Sequence, residues 1–188
     1  MYLSYTPIEE FSAEEKYVLA TDMALAAIVG DSVYNFGEVI ATPILSSLSG
    51  TPNEWIFDLV NALSDGDISR FNLLTNSADK SNPYFTQPAL VQNHELVKLK
   101  ITMTALMNLA FERPAHQRTI RYSDISDRLQ VSRSQVDWVL MKSLSLGLIK
   151  GKIDEVDESI NVTWVQPKVL NMVQIKQMEE AIDGWGQK

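Results

Sequence analysis

Cysteine is absent from the 188 residues, which excludes disulfides and thiolate metal sites and is consistent with a reducing compartment. Histidine is nearly absent as well. With only His94 and His116, a site of several imidazole ligands cannot be assembled, and neither H-x-H nor H-E-x-x-H spacing occurs. Both histidines read as partly exposed helix or loop residues. No G-x-x-x-x-G-K-[ST] or G-x-G-x-x-G run is present to cradle a phosphate, and no G-x-S-x-G turn presents a nucleophile. The chain also lacks a long apolar run, a signal peptide, and polybasic or lipidation signals, so it reads as soluble, with no membrane partner. Positive charge is scarce: 16 Lys and Arg against 24 Asp and Glu leave a net charge of −8, which argues against a polyanionic partner. These absences together predict no cofactor, no metal and no enzymatic activity. What remains is an interaction surface.

Residues 119–167 are the most informative stretch. Residues 118–122 read as a short strand and 123–129 as a short helix. Ser132 then opens a second helix, with Gln135 three residues on as in a capping box, and Gly147 closes it. Residues 148–153 and 159–165 alternate apolar and polar side chains as two half-buried strands joined by an acidic turn over 154–158. That turn lacks EF-hand spacing and reads as a solvated hairpin tip. Strand, helix, helix and hairpin make a winged helix.

A winged helix raises the question of DNA, which the second helix answers at 100° per residue. Val136, Val139, Leu140, Ser143, Leu144 and Leu146 share one arc, the expected core face. The opposite arc holds Ser134, Asp137, Trp138, Met141, Lys142 and Ser145, in which Asp137 cancels the one cation. A DNA-reading helix needs several Arg or Lys to neutralise phosphates and side chains aimed at base edges. This helix has neither, and Asp154, Glu155, Asp157 and Glu158 at the wing tip would repel a phosphate rail. Trp138 beside Met141 suits a protein partner; packing of Trp138 beneath a neighbouring helix of the same chain is the alternative.

The rest of the chain is helical. Ser12 and Glu15 form a capping box for a helix that runs to Gly30, with Ala20, Met23, Ala24, Ala27 and Ile28 on one face. Asn35 and Glu38 start a second helix, stopped near Thr42 and Pro43. Thr51 as N-cap, Pro52 and Glu54 start a third, carrying Trp55, Ile56, Leu59, Val60 and Leu63. Asp65 and Gly66 turn the chain, and Asp67 caps a fourth with Ile68, Phe71 and Leu74. Paired short helices of this kind build an α-solenoid, although no fixed repeat period is visible. Residues 77–88 read as a loop. The longest helix is expected over 90–112, with Leu96, Leu99, Met103, Leu106, Met107 and Ala110 on its core arc, ended by Arg113 and Pro114. A final helix over 168–185 is apolar on two sides, with Leu170, Val173 and Ala181 on one and Val169, Met172 and Ile175 on another, so it calls for a partner. Met1 leading straight into Tyr2 and Leu3, and an abrupt end at Lys188, read as cut termini. The expected class is mostly α, in three parts: a helical-repeat half over 1–89, a winged-helix half over 90–167, and a terminal helix over 168–188.

Several segments carry a resemblance. Helical pairs leading into a winged helix and a terminal helix resemble the layout of the PCI family, found in the proteasome lid, the signalosome and the translation initiation factor. Residues 61–71, with Gly66, Asp67 and Phe71, are similar to that family's helical turn. The segments 34–38, 111–115, 141–151, 153–157 and 163–167 resemble a lid subunit of the 26S proteasome regulatory particle in particular, so the chain looks like the C-terminal PCI fragment of such a protein. The resemblance implies a non-enzymatic scaffold in cytoplasm and nucleus. In that family the winged helices of neighbouring PCI subunits associate side by side, and terminal helices gather into a bundle. The expected interface comprises Trp138, Met141, Ile160, Val162 and Trp164, with Met172 and Ile175 on the terminal helix, and the strand over 160–165 or its hairpin mate is expected to offer a sheet edge. A sibling PCI complex, the signalosome or the initiation factor, is the alternative, and a nucleic-acid-binding winged helix a further one.

Overall fold

The structure, a computed structural model, describes residues 12–76, 82–113 and 118–169. Its helices are α1 (Ala13–Val29), α2 (Phe36–Ile40), α3 (Glu54–Asp65), α4 (Ile68–Leu74), α5 (Pro88–Gln92) and α6 (His94–Glu112), with 3-10 helices at Pro43–Leu48 and Pro83–Thr86. Then come β1 (Thr119–Arg121), α7 (Tyr122–Leu129), α8 (Arg133–Ser145), β2 (Ile149–Asp154) and β3 (Ser159–Val165). The mostly helical chain with one small antiparallel sheet is the class that the patterning predicts.

Local signals explain several helix ends. The Ser12 hydroxyl accepts from the Glu15 amide at 3.2 Å while the Ser12 amide donates to the Glu15 carboxylate at 2.9 Å, the reciprocal box predicted for α1. The Asp67 carboxylate accepts from the Arg70 amide at 3.0 Å and starts α4. Gly66 ends α3 in the left-handed region at φ 62°, and its bare Cα lets the turn press on α6: a Cβ there would stand 2.6 Å from Ala105 Cα. In α3, Ile56, Leu59 and Leu63 are fully buried at helical spacing, each worth about 1.5–3 kcal/mol of apolar burial.

Three expectations are corrected here. Thr51 does not cap α3: its hydroxyl donates to the Leu48 carbonyl at 2.6 Å, closing the unforeseen 3-10 turn, and the helix begins at Glu54. The helix expected over 90–112 is broken at Asn93, whose side-chain amide donates to the Ala89 carbonyl at 2.8 Å and competes with the helical ladder. And α6 has no single core arc, since residues 100–110 are buried on every side.

That last feature organises the molecule. Val97 and Ile101 of α6 join the core of the helical half with Ala24, Ile28, Phe36, Leu59 and Phe71. Met103, Leu106, Met107 and Ala110 join the winged-helix core with Ile125, Val136, Leu140, Ile149 and Ile160. Between them lies Lys100, with 0% exposure, whose ammonium donates to the carbonyls of Ala27 (3.0 Å), Ile28 (2.9 Å) and Gly30 (2.5 Å). These are carbonyls that the end of α1 leaves without helical partners, so a buried cation closes that helix and meets its negative dipole end. The rings of Tyr34 and Phe36 flank the ammonium at 5.8 and 5.5 Å. Burial pushes the Lys100 amine down to about 8, partly opposed by Asp31.

The sheet has the order β1-β3-β2, antiparallel throughout, with Ile120 opposite Ile160 and Ile153 opposite Ile160. Residues Ser159 to Asn161 therefore lie in the middle of the sheet, which corrects the expectation of an edge over that part of β3; its hairpin mate β2, the alternative edge, pairs with β3 alone among the described residues. An irregularity between Lys150 and Gly151 locally bends the hairpin. Gly151 permits the close strand approach, because a Cβ there would run into the Asn161 carbonyl. After β3 the chain turns back to the helical half. Lys168 donates to Asn108 Oδ1 at 2.5 Å, Asn108 in turn donates to the Ser64 carbonyl at 3.3 Å, and the Val169 amide donates to Asn35 at 3.3 Å. Residues 168 and 169 thus tie the two halves together.

Candidate protein interface

Helix α8 places two large exposed side chains side by side on the winged helix. Val136, Val139, Leu140 and Ser143 face the core as their arc predicts, whereas Leu146 emerges to solvent just past the helix end. Trp138 is 55% and Met141 64% exposed, one turn apart on the outer face. Trp138 is thus exposed rather than packed beneath a neighbouring helix of this chain. The indole also walls a groove of about 680 Å³ between α6 and α8, floored by Leu96, Leu99, Val131 and Val139 and bordered by Glu95 and Lys98. Leu96 and Leu99 read as core in the helical wheel, yet they are only partly buried and line this groove.

The other candidates separate by depth. Ile160 has 0% and Val162 2% exposure, both packed in the winged-helix core, so they support the site from below and cannot meet a partner while the fold stands. Trp164 is 37% exposed and holds the Lys150 ammonium 4.9 Å above its ring. Met172 and Ile175, and the terminal helix that carries them, lie outside the described residues.

Charge on this surface is mixed. Arg133 at the start of α8 pairs with Glu158 of the hairpin. Tyr122, buried beneath α8, has its phenol pushed well above the ordinary range by burial first and by Asp137 second. On the outer side of the sheet Arg121, Lys150, Lys152 and Asn161 are all exposed. The alternation in residues 149–154 is the sequence signal that places Lys150 and Lys152 on the outer face.

The chemistry of the two histidines is limited. His94 Nδ1 lies 2.9 Å from the Tyr84 hydroxyl, and its ring stacks on Phe71 with centroids 6.4 Å apart. Burial pushes the Tyr84 phenol up to about 12. The pair fastens α6 to the preceding 3-10 helix. His116 lies outside the described residues. Among the described residues no group of three or more His, Cys, Asp or Glu is placed to hold a metal ion, and no helix is long and apolar enough to cross a membrane.

Comparison with known proteins adds independent findings. Residues 1–60 match a family model described as PSD13 N-terminal repeats, and residues 77–164 match the PCI domain. The 26S proteasome non-ATPase regulatory subunit 13 homolog A of Arabidopsis thaliana is 42% identical over 188 residues, covering 100% of this chain and 48% of the relative. The 26S proteasome regulatory subunit RPN9 of Saccharomyces cerevisiae is 32% identical over 187 residues, 98% of this chain and 46% of the relative. Eukaryotic translation initiation factor 3 subunit M of Yarrowia lipolytica is more distant, at 27% over 144 residues, 74% of this chain and 33% of that protein. The chain spans about half the length of the proteasomal relatives it matches.

Proposed function

Because this chain carries a PCI domain and is homologous along its length with 26S proteasome non-ATPase regulatory subunits, we propose that it is a non-enzymatic scaffold subunit of the regulatory-particle lid, supporting ATP-dependent degradation of ubiquitinated proteins. The observation that carries this reading is the 42% identity across the whole chain to a protein named as a regulatory, non-ATPase subunit. Its working parts are the helical half over 1–89, the winged-helix half over 90–167 and the terminal helix over 168–188. Its partners are other PCI subunits of the lid, met through the winged helix, with the terminal helix joining a helical bundle. Cytoplasm and nucleus are its compartments. Trp138 and Met141 are the anchors: a large aromatic and a flexible thioether, exposed together on a rigid helix, have the make-up of an interface centre. Trp164 borders the neighbouring sheet edge.

A test follows from their exposure. Changing Trp138→Glu with Met141→Glu leaves the fold intact by circular dichroism and removes the full-length protein from lid particles on native gels. Wild-type incorporation of that double variant would move the interface elsewhere. A sibling PCI complex is supported by the 27% identity to the initiation-factor subunit, over a smaller share of the chain. Nucleic-acid binding is disfavoured by the outer arc of α8, where Asp137 offsets Lys142, and by the acidic wing tip. Retention on heparin that falls steeply with salt would favour it.

A further inference from the structure

We propose that a pocket between α7, α8 and the hairpin tip receives an arginine side chain of a protein partner, an inference that rests on the assembly reading above only for the partner being a protein. The pocket has a volume of about 350 Å³ and is lined by Tyr122, Arg133, Ser134, Asp137, Glu155 and Glu158. Its carboxylates outnumber its cations. Arg133 pairs with Glu158, which leaves Asp137 and Glu155 outside any ion pair among the described residues. Tyr122, only 4% exposed, contributes a buried hydroxyl that has no partner at hydrogen-bond distance. Such a group costs free energy unless something completes it. Burial raises this phenol first; Asp137, which approaches it without reaching bonding geometry, raises it next, followed by Glu155 and Asp154. Three carboxylates thus make the field at the phenol oxygen negative.

Backbone contacts hold these groups in place. The Tyr122 amide donates to the Glu158 carbonyl at 2.9 Å, and Glu158 leaves the hairpin tip at a left-handed φ of 45°. The Asp154 carboxylate accepts from the amides of Val156 and Asp157, both at 3.1 Å, which sets the turn that carries Glu155. The ligand's chemistry follows from the charge. Among the described residues no three acidic side chains converge to hold a metal ion, so these carboxylates suit a cation that spreads its charge over several atoms. Guanidinium does so: its planar fork of five N–H donors can serve Asp137, Glu155 and the Tyr122 oxygen together, whereas an ammonium is a compact point charge. The phenol then accepts from the guanidinium and donates toward Asp137. What lies beside the pocket favours a polypeptide source over a free cation. Ser134 lines both this pocket and the groove walled by Trp138, so a chain that delivers the arginine continues onto an apolar surface.

The test is an NMR titration of the full chain at low salt with a capped six-residue peptide that carries one arginine and one leucine among alanines. Beside it run the same peptide with lysine or with citrulline, the neutral isostere, in place of the arginine, and free spermidine. The expected result is that the arginine peptide shifts the amide signals of residues 133–137 and 154–158. It binds about tenfold better than the citrulline peptide, the size of one charge-assisted hydrogen bond, and better than the lysine peptide. Asp137→Asn with Glu155→Gln removes that preference. Tyr122→Phe keeps the buried ring and lowers the arginine peptide's affinity about threefold, the size of one neutral hydrogen bond. Equal binding of the arginine and citrulline peptides, shifts confined to other acidic surfaces, a preference unchanged in the double variant, or an affinity unchanged in Tyr122→Phe would each overturn the proposal. Spermidine binding as tightly as the peptide would replace the protein partner with a diffusible cation and overturn it too. Lid incorporation of the parent on native gels separates the two readings. Incorporation without arginine preference ends this inference alone, and arginine preference without incorporation ends the lid assignment alone.

Discussion

Lys100 offers the sharpest stability prediction. Replacing it with Met keeps the aliphatic stem and removes the ammonium that donates to Ala27, Ile28 and Gly30. The substitution leaves the Ala27 and Ile28 carbonyls buried without this donor, and an unsatisfied buried acceptor costs about 1–3 kcal/mol. The loss expected for Lys100→Met at pH 7 is therefore about 3 kcal/mol, read as a lower urea midpoint at unchanged slope. The pH dependence has a definite sign. Between pH 8 and 10.5 the unfolded chain keeps a proton on Lys100 that the folded chain releases, so unfolding free energy climbs with pH across that window, by up to about 3 kcal/mol. The parent shows this climb and the Met variant does not, so the cost of the substitution grows from pH 8 upward. A variant within about 0.5 kcal/mol of the parent at every pH would refute the idea that this cation closes α1.

Other substitutions give separate checks. Gly66→Ala combines a left-handed φ of 62° with a methyl 2.6 Å from Ala105 Cα; a loss of about 2 kcal/mol or more in thermal or chemical unfolding is expected, since the obstacle is backbone. Ile160→Asp puts a charge among the winged-helix core and should abolish cooperative unfolding, whereas Trp138→Glu should change stability by less than about 0.5 kcal/mol. Arg133→Ala breaks an exposed ion pair with Glu158, and the expected change is below about 1 kcal/mol, shrinking in salt.

Much of the architecture was legible because its signals are local. Ser12 with Glu15, Asp67, and Gly66 mark helix ends whose partners lie within a turn, and the alternation in residues 149–153 and 159–165 gives the hairpin. What escaped depends on distant partners. Nothing within its own helix marks Lys100, because the end of α1 that it meets lies some seventy residues away in sequence. Helix α6 reads as amphipathic because the wheel cannot register that two cores claim opposite faces of one helix. The alternation placed Ile160, Val162 and Trp164 in a strand but not in the sheet order, so two core residues were expected at an edge. Trp138 and Met141 were legible as an exposed pair because a helix this well patterned fixes both of its faces.

The most direct test of the lid assignment is affinity purification of the tagged full-length protein from its own cells, with quantitative mass spectrometry of what accompanies it. Proteasome lid subunits are expected in near-stoichiometric amounts, reduced at least tenfold when Trp138 and Met141 are both changed to Glu. Recovery of translation initiation factor subunits or nucleic acid in place of the lid would contradict it.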